Sequence, residues 1–250
     1  EIAKHFETEI ISCDSRQFFK EMNIGTATPS KEELAEVPHH FIQHLSVEDY
    51  YSIGQFEKDA IEKIEELFQK HDIVVLVGGS MMYEKAVIGG LHDLPEANEE
   101  NQHKLEQILE EDGIEKLQHI LKELDPEYFD KVDRDNTRRL FRAIDIIWQT
   151  GKTYSKNIAP QMNQRDFEVI RIGLQAPRET IYERINQRVD LMVENGLLNE
   201  AESLIPFKNN LALQTVGYSE LFKYFGRIWP LDFALEEIKK NSRRFAKRQL

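Results

Sequence analysis

Five apolar residues in a row, at positions 73–77, lead directly into Gly78-Gly79-Ser80 and then into a helical pattern that starts at Met81. A run of this length fits a buried strand and is far shorter than the roughly 20 residues that a membrane-spanning helix needs. A strand that ends in a glycine turn before a helix is typical of a parallel α/β sheet, in which functional groups collect at the carboxyl ends of the strands. This feature therefore favours an α/β fold.

Other segments continue the alternation of strands and helices. Residues 9–13 predict a short buried strand that ends at Asp14, and residues 52–69 predict a helix with its apolar side chains on one face. A later strand is predicted at 167–174, and helices follow it. The 250 residues, of which 40% are hydrophobic and 31% charged, suffice for one large domain or for a core with an inserted second domain.

Strand patterns are absent between Asn98 and about Lys156, where apolar residues recur at helical spacing instead. A helical block between sheet elements indicates an insertion into an α/β core. We therefore predict three ranges: the first part of the core at 1–97, an all-helical insertion at 98–160, and a return to a core strand and C-terminal helices at 161–250.

The net charge of −13, taken alone, opposes nucleic-acid binding, because the phosphate backbone attracts basic surfaces. The acidic residues are unevenly distributed, however, and 11 of them stand against 3 lysines between Glu96 and Glu127. Arg138, Arg139 and Arg142 cluster outside that stretch. They form either a basic binding face or a solvated helix face that pairs with neighbouring acids.

The single cysteine, Cys13, excludes an internal disulfide and a cysteine-cluster metal site, and it predicts a cytoplasmic protein. Three histidines at positions 39–44 lack a nearby carboxylate pair, so we predict that they bind no metal. Gly151-Lys152-Thr153 has the ending of a phosphate-binding P-loop. The motif requires a glycine where Ile146 stands, and we reject it.

Four side chains are candidates for chemistry. Asp14 follows a buried strand and is placed either as a general base or as a helix cap. The N–H groups of the Gly78-Gly79 turn and the hydroxyl of Ser80 can face an anion, although a glycine pair also serves backbone geometry alone. Arg184 and Arg188 lie four residues apart on one helix face, which suits a diphosphate or ordinary surface ion pairs.

A series of short motifs stands in a fixed order along the chain. They are Asp14-Ser15-Arg16-Gln17, Asn23-Ile24-Gly25-Thr26-Ala27-Thr28-Pro29, His39-His40, Tyr51-Ser52, Phe56, Asp59-Ala60, Val77-Gly78-Gly79-Ser80-Met81-Met82-Tyr83, Gly90-Leu91, Asp125-Pro126, Asn136-Thr137-Arg138-Arg139-Leu140-Phe141-Arg142-Ala143, Thr150-Gly151, Arg184-Ile185, Arg188-Val189, Gly217-Tyr218 and Arg244-Phe245-Ala246-Lys247-Arg248-Gln249-Leu250. The series closely resembles that of the bacterial tRNA dimethylallyltransferases, also called isopentenyltransferases. The resemblance covers essentially the whole chain.

The resemblance implies transfer of a dimethylallyl group from its diphosphate to the exocyclic amine of the adenine just 3′ of a tRNA anticodon. It implies a P-loop kinase-like sheet core with a nucleotide-binding P-loop, and a helical insertion that grips the anticodon stem-loop. The expected partners are tRNA and dimethylallyl diphosphate, and the expected cofactor is Mg²⁺. We expect a cytoplasmic monomer without membrane attachment.

The resemblance also implies roles for individual residues. Asp14 matches the base that takes a proton from the amine, and Ser80 matches a threonine that stabilises the leaving diphosphate. Arg184 and Arg188 match arginines near the diphosphate. Residues matching tRNA contacts lie in the strand-end turn and in the helical block. They are Asp14, Ser15, Arg16, Gln17, Gln102, Arg138, Arg139, Leu140, Phe141 and Arg142.

The sequence departs from the family pattern in several places. The family P-loop, whose lysine and hydroxyl residue hold diphosphate and magnesium, is expected before residue 1. The printed chain thus lacks half of the donor site, has no residue assigned to the metal, and is expected to be inactive by itself. Ser80 replaces a threonine, and Gln102 replaces an arginine that contacts tRNA. The family is also expected to continue beyond Leu250.

Two other classes of function stay open at this stage. An adenylate isopentenyltransferase performs the same chemistry on a free adenine nucleotide, and the helical block argues against it. The other class is a P-loop small-molecule kinase or an inactive fragment that only binds RNA. A P-loop upstream would favour the transferase or the kinase.

Overall fold

The computed structural model describes residues 1–92, 94–158 and 165–249. The chain divides into two compact units, one made of Glu1–Ile88 with Arg165–Leu250 and the other of Gly89–Gln164. The predicted end of the insertion at residue 160 and the final residue of the last motif, Leu250, lie outside the described residues.

The first unit contains a small parallel sheet. Within the described residues it has three strands, β1 (Ile10–Ser12), β2 (His39–His40) and β3 (Val75–Val77), in the order β2-β1-β3. Ile10 of the central strand lies opposite His39 on one side and Val75 on the other. The predicted parallel α/β core is therefore confirmed, and its first and third strands are shorter than the segments predicted at 9–13 and 73–77.

Helices account for most of the remaining regular structure. In chain order they are α1 (Ile2–His5), α2 (Lys31–Glu36), α3 (Ile53–Phe68), α4 (Met81–Gly89), α5 (Glu99–Asp112), α6 (Ile114–Leu124), α7 (Pro126–Phe129), α8 (Thr137–Thr150), α9 (Tyr154–Asn157), α10 (Arg178–Glu194), α11 (Leu197–Ser203), α12 (Tyr218–Phe225) and α13 (Leu231–Gln249). Short 3₁₀ turns lie at Ile205–Phe207 and Leu211–Leu213. In the described ranges we find no helix with the length and apolar character to cross a bilayer.

Helix α3 shows why the local patterns were informative. The hydroxyl of Ser52 accepts a hydrogen bond from the N–H of Gln55 at 3.1 Å, which satisfies one of the unpaired donors at a helix start. Phe56, Ala60 and Ile64 follow at helical spacing and are buried. They belong to the hydrophobic core of the first unit, where the ring of Phe56 stacks on Phe18 at 5.2 Å. The helix predicted at 52–69 is confirmed.

The strand predicted at 167–174 is wrong. The segment has no regular structure, and Ile170 and Leu174 are 88% and 91% exposed. An alternating apolar pattern favours extended backbone, but a strand exists only where its N–H and C=O groups meet a neighbouring strand. None of the described strands pairs with this segment, so its pattern alone does not make it part of the sheet.

The second unit is helical and has a hydrophobic core of its own. Leu105 of α5, Leu117 of α6 and Ile144 of α8 are fully buried in it. The carboxylate of Asp145 is also fully buried and accepts hydrogen bonds from the side-chain amides of Asn101 and Gln149 at 2.8 and 2.9 Å. The all-helical character predicted for this block is therefore observed in the residues described.

Gly151 ends α8 in the left-handed region, with a φ of 67°. Its N–H donates to the carbonyl of Ile147 at 2.8 Å, which is a common way to end a helix. Gly151-Lys152-Thr153 is thus a helix terminus rather than a phosphate loop, as its missing glycine indicated.

Candidate active site

The carboxyl ends of β1 and β3 lie side by side in the first unit. The N–H of Cys13 donates to the carbonyl of Val77 at 2.8 Å. A Cβ atom added at Gly78 would stand 2.6 Å from the Cys13 sulfur and 2.7 Å from the Asp14 nitrogen, which leaves no room for a side chain. The glycine therefore lets the turn after β3 approach the Asp14 segment closely.

Ser80 connects this turn to the segment that contains Asp14. Its hydroxyl accepts a hydrogen bond from the N–H of Ser15 at 3.1 Å and lies 3.0 Å from the Ser15 hydroxyl. Its carbonyl accepts hydrogen bonds from the N–H groups of Tyr83 and Glu84. The Ser80 hydroxyl thus lies at the N-terminus of α4, where N–H groups and the helix dipole favour an anion.

Asp14 lies in a tight turn. One of its carboxylate oxygens accepts a hydrogen bond from the N–H of Arg16 at 3.0 Å, and its carbonyl accepts one from the N–H of Gln17 at 3.0 Å. Arg16 donates to the carbonyls of Leu211 and Ala212, each at 3.1 Å. No described helix begins directly after Asp14, so the helix-cap alternative is wrong, and the carboxylate stabilises a turn instead. The carboxylate also lines a cavity, where the role of a general base is open to it.

The cavity has a volume of about 580 Å³ and combines polar with apolar walls. One part of the wall carries Asp14, Ser15, Arg16, Ser80 and Arg188. The apolar part comes from helices α4, α10, α11 and α13. Its side chains include Met81, Met82, Ile185, Val189, Met192, Leu197, Ile238 and Phe245. A ligand with an anionic head and a short hydrocarbon tail fits such a wall.

The two candidate arginines of α10 differ in position. Both are exposed, but Arg188 lines the cavity and Arg184 is not among the lining residues. Gln17 is also outside the wall, and its amide donates to the carbonyls of Thr26 and Ala27 at 3.2 Å each. The structure therefore brings together five of the sequence candidates in the cavity wall, and Arg184 and Gln17 are not part of that wall.

The candidates in the helical unit separate into exposed and packed residues. Arg138 and Arg139 are exposed on α8, and Gln102 is half-buried on α5. Leu140 is fully buried in the helical core, and Phe141 is half-buried against the same core. The side chain of Leu140 therefore stabilises the unit, and the surface of this segment is formed by its arginines.

Arg142 is engaged inside the helical unit. Its guanidinium donates to the carbonyl of Pro95 at 2.7 Å, and another nitrogen lies 3.5 Å from the buried carboxylate of Asp145. The sequence alone left its role open between a basic face and a helix pair. In this structure its contacts are those of a structural residue.

Three residues in or near the cavity wall were not among the site candidates chosen from the sequence. Tyr83 lines the cavity, and burial raises its pKa, so that the phenol stays protonated. Its place three residues after Ser80, one helical turn away, was the signal available. Glu200 and Tyr218 adjoin the segment around Gly25, and the Tyr218 hydroxyl donates a hydrogen bond to the Glu200 carboxylate at 2.6 Å. No local pattern marks Glu200.

Cys13 offers a test of how tightly the strand ends pack. The residue is 2% exposed, and burial raises its pKa to about 12, with the charges of Glu84 and Asp14 contributing in the same direction. At pH 8 its thiol is therefore protonated and shielded. We expect no labelling of the native protein by iodoacetamide and rapid labelling in urea, where the pKa returns to about 8.5. Mass spectrometry measures the extent of labelling. Fast labelling of Cys13 in the native protein would contradict this packing.

Comparison with known proteins agrees with this arrangement. A family model described as IPP transferase matches residues 17–250. A tRNA dimethylallyltransferase from Christiangramia forsetii is 57% identical over 249 residues, which cover 100% of this chain and 82% of that protein. One from Flavobacterium johnsoniae is 51% identical over 255 residues and is covered to 82%.

Solved structures of proteins from the same family also resemble this chain. A tRNA isopentenylpyrophosphate transferase from Bacillus halodurans matches with a TM-score of 0.69 and 36% identity, covering 100% of this chain and 79% of that one. A eukaryotic dimethylallyltransferase acting on tRNA matches with a TM-score of 0.82 and 26% identity, covering 99% of this chain and 64% of that one. Their P-loop kinase-like fold confirms the fold class predicted for the core. The chain belongs to the IPP transferase family, the family of the tRNA dimethylallyltransferases.

Proposed function

We propose that the protein transfers a dimethylallyl group from dimethylallyl diphosphate to the exocyclic amine of the adenine 3′-adjacent to the anticodon of tRNA. The observation that carries the proposal is one cavity with a carboxylate, a hydroxyl at a helix N-terminus and an arginine beside an apolar wall. Asp14, Ser80 and Arg188 supply these groups. Family membership supports the same reaction.

The acceptor amine is a weak nucleophile, so its proton must leave as the new bond forms. The amine nitrogen attacks the first carbon of the allyl group, and the bond from that carbon to the diphosphate oxygen breaks. The electron pair of the broken bond leaves with the diphosphate. Asp14 takes the proton from the amine. The target adenine has to leave its stack in the anticodon loop to reach a cavity of this kind.

The leaving diphosphate develops negative charge, and the allylic carbon develops positive charge. We propose that three groups stabilise the leaving anion: the Ser80 hydroxyl, the N–H groups at the start of α4 and the Arg188 guanidinium. The apolar side chains of the wall accommodate the hydrocarbon and exclude water, which would otherwise compete with the amine for the activated carbon. Arg184 is proposed as a second, more distant cation.

Magnesium is part of the proposal. Among the residues that the structure describes, no group of three or more His, Cys, Asp or Glu side chains is arranged to hold a metal ion. Mg²⁺ prefers oxygen ligands and is commonly bound through substrate phosphates, so the Ser15 and Ser80 hydroxyls, 3.0 Å apart, fit it together with diphosphate oxygens. When bound, the ion adds positive charge beside the leaving group.

We propose that tRNA contacts the surface around Arg138 and Arg139. The acceptor is a polyanion and the protein carries a net charge of −13, so binding has to rely on local basic groups. Both arginines are exposed on α8 and follow the N-cap Asn136. In the sheet unit, the residues proposed to contact the target nucleotide are Asp14, Ser15, Arg16 and Gln17.

Replacing Arg139 should weaken tRNA binding in a salt-dependent way. For Arg139→Gln we expect the slope of log affinity against log salt to fall by about 0.7 to 0.9, because one phosphate contact releases about that many counterions. Filter binding from low to physiological salt measures it. Arg134→Gln, an exposed arginine of the same unit, is the matched control and should leave the slope unchanged. Equal slopes for Arg139→Gln and parent would remove this contact from the proposal.

The reaction itself is tested with labelled dimethylallyl diphosphate, the full-length protein and two acceptors. We expect label in tRNA and none in free AMP. Label in AMP alone would favour the adenylate isopentenyltransferase. No label in either acceptor, with phosphoryl transfer from ATP to a small molecule, would favour the kinase. Binding of RNA without any transfer would favour the binding-only alternative. The monomeric state and the cytoplasmic location stay predictions.

A further inference from the structure

A single carboxylate holds three consecutive backbone N–H groups beside the cavity. Glu200 of α11 accepts hydrogen bonds from the N–H groups of Asn23 at 3.0 Å, Ile24 at 2.7 Å and Gly25 at 2.9 Å. Successive N–H groups that converge in this way form a concave anion site. The side chain of Glu200 fills that site from a helix more than 170 residues away in sequence.

Tyr218 completes the arrangement. Its hydroxyl donates to Glu200 at 2.6 Å, and its ring is fully buried. Burial raises the pKa of Tyr218 far above its ordinary value, and the hydrogen bond to Glu200 adds to the effect, so the hydroxyl stays a donor. A Cβ atom at Gly25 would stand 2.6 Å from the ring, so the tyrosine also explains why a glycine is required there.

The held segment leads to the proposed base through consecutive contacts. Gly25 and Thr26 line the same cavity as Asp14. The Gln17 amide donates to the carbonyls of Thr26 and Ala27 at 3.2 Å each, and the N–H of Gln17 donates to the carbonyl of Asp14. The position of the Asp14 turn therefore depends on a segment whose backbone Glu200 fixes.

The residues proposed to bind the diphosphate belong to other elements of the fold. Ser80 follows β3 and starts α4, and Arg188 projects from α10. None of the hydrogen bonds described for Glu200 reaches these residues. A change at Glu200 should therefore affect proton removal from the acceptor more than binding of the donor.

We propose that Glu200 is a positioning residue for the transfer reaction, which acts through the segment from Asn23 to Ala27 and through Gln17 on the Asp14 turn. Tyr218 is its partner and orients the carboxylate. The inference rests on the proposed function, since it assigns a step of that reaction to the Asp14 turn. It adds a residue outside the set that the family resemblance implies.

Glu200→Gln tests the inference. The amide keeps the size of the side chain but replaces one acceptor oxygen by an NH₂ group, which cannot accept from a backbone N–H. We expect a roughly 10- to 100-fold lower single-turnover rate, as a displacement of about 1 Å at reacting groups produces. The Kd of dimethylallyl diphosphate should change by a smaller factor than the rate, because neither Ser80 nor Arg188 is hydrogen-bonded to Glu200.

Two further variants keep the test informative. Tyr218→Phe removes one hydrogen bond and keeps the ring, so it should fold and should reduce the rate in the same direction by a smaller factor. Glu202→Gln lies on the same helix, is exposed, and should behave as the parent. Hydrogen exchange should speed up at the amides of residues 23–25 in Glu200→Gln and remain unchanged in Glu202→Gln.

The outcomes separate this inference from the proposed function. A folded Glu200→Gln variant with parent rate, or with donor affinity reduced as much as the rate, would overturn the positioning role. A folded Tyr218→Phe variant with an unchanged rate would also overturn the positioning role. Failure of the proposed function instead appears in the parent protein, as an absence of transfer to tRNA under conditions in which a tRNA dimethylallyltransferase from a relative is active.

Discussion

Asp14→Asn should lower the rate of dimethylallyl transfer by about 10² to 10⁴ and leave tRNA affinity close to that of the parent. An amide cannot take the proton from the acceptor amine. In the parent, the N–H of Arg16 donates to the Asp14 carboxylate at 3.0 Å. The oxygen of the asparagine amide can accept the same hydrogen bond, so the turn should persist. Single-turnover transfer with saturating substrates measures the rate, and filter binding measures the affinity.

The control for this variant is Asp49→Asn. Asp49 is also an aspartate that accepts a backbone hydrogen bond, from the N–H of Ser46 at 2.7 Å, and it is not among the cavity residues. We expect it to transfer at the parent rate. If Asp14→Asn transfers as fast as Asp49→Asn, Asp14 is not the base.

Ser80→Ala should cost about 2 to 4 kcal/mol of transition-state stabilisation, or roughly 30- to 1000-fold in rate. The hydroxyl lies at the start of α4 and is proposed to meet the departing diphosphate. Ser80→Thr retains the hydroxyl and should keep or improve the rate. The measurement is single-turnover transfer at saturating dimethylallyl diphosphate.

Removal of the Ser80 hydroxyl also leaves the N–H of Ser15 without its acceptor, so thermal stability has to be measured in parallel. Ser46→Ala is the matched control. It removes a hydroxyl that donates to Glu21 at 2.8 Å away from the cavity, so it should lower stability without slowing transfer. Equal rates for Ser80→Ala and the parent would leave the glycine turn a purely structural feature.

The features that sequence predicted well depend on neighbours in the chain. Helix α3 begins after Ser52 because a hydroxyl caps the third N–H beyond it, and both partners lie within one turn. The turn at Gly78 was visible because a strand, two glycines and a helix start stand next to one another. The cavity follows, since parallel strands end at the same edge of a sheet.

The features that sequence predicted poorly depend on distant partners. The apolar alternation at 167–174 predicted a strand, but no described strand lies beside it to form the ladder. In the helical block, the spacing of Leu140, Ile144 and Ile147 indicated a core face, whereas the family motif marked Leu140 as a tRNA contact. The side chain of Leu140 is in the core, so periodicity predicted its surroundings better.

Glu200 illustrates a third limit. Its acceptor oxygens meet N–H groups 175 to 177 residues earlier in the chain. Every non-proline residue has such a group, so no residue type at positions 23–25 signals the contact. Gly25 was part of a recognised motif, but only the ring of Tyr218 against it explains the need for a glycine.

The residues that the structure describes form two hydrophobic cores, and no side chain among them belongs to both. A substitution in one core therefore perturbs the packing of that unit, while the other keeps its own contacts. In related proteins, the two units can therefore accumulate substitutions independently of each other. We expect the helical unit to diverge as the RNA substrates of each organism diverge, and the cavity walls of the sheet unit to change slowly, because every acceptor is modified by the same reaction.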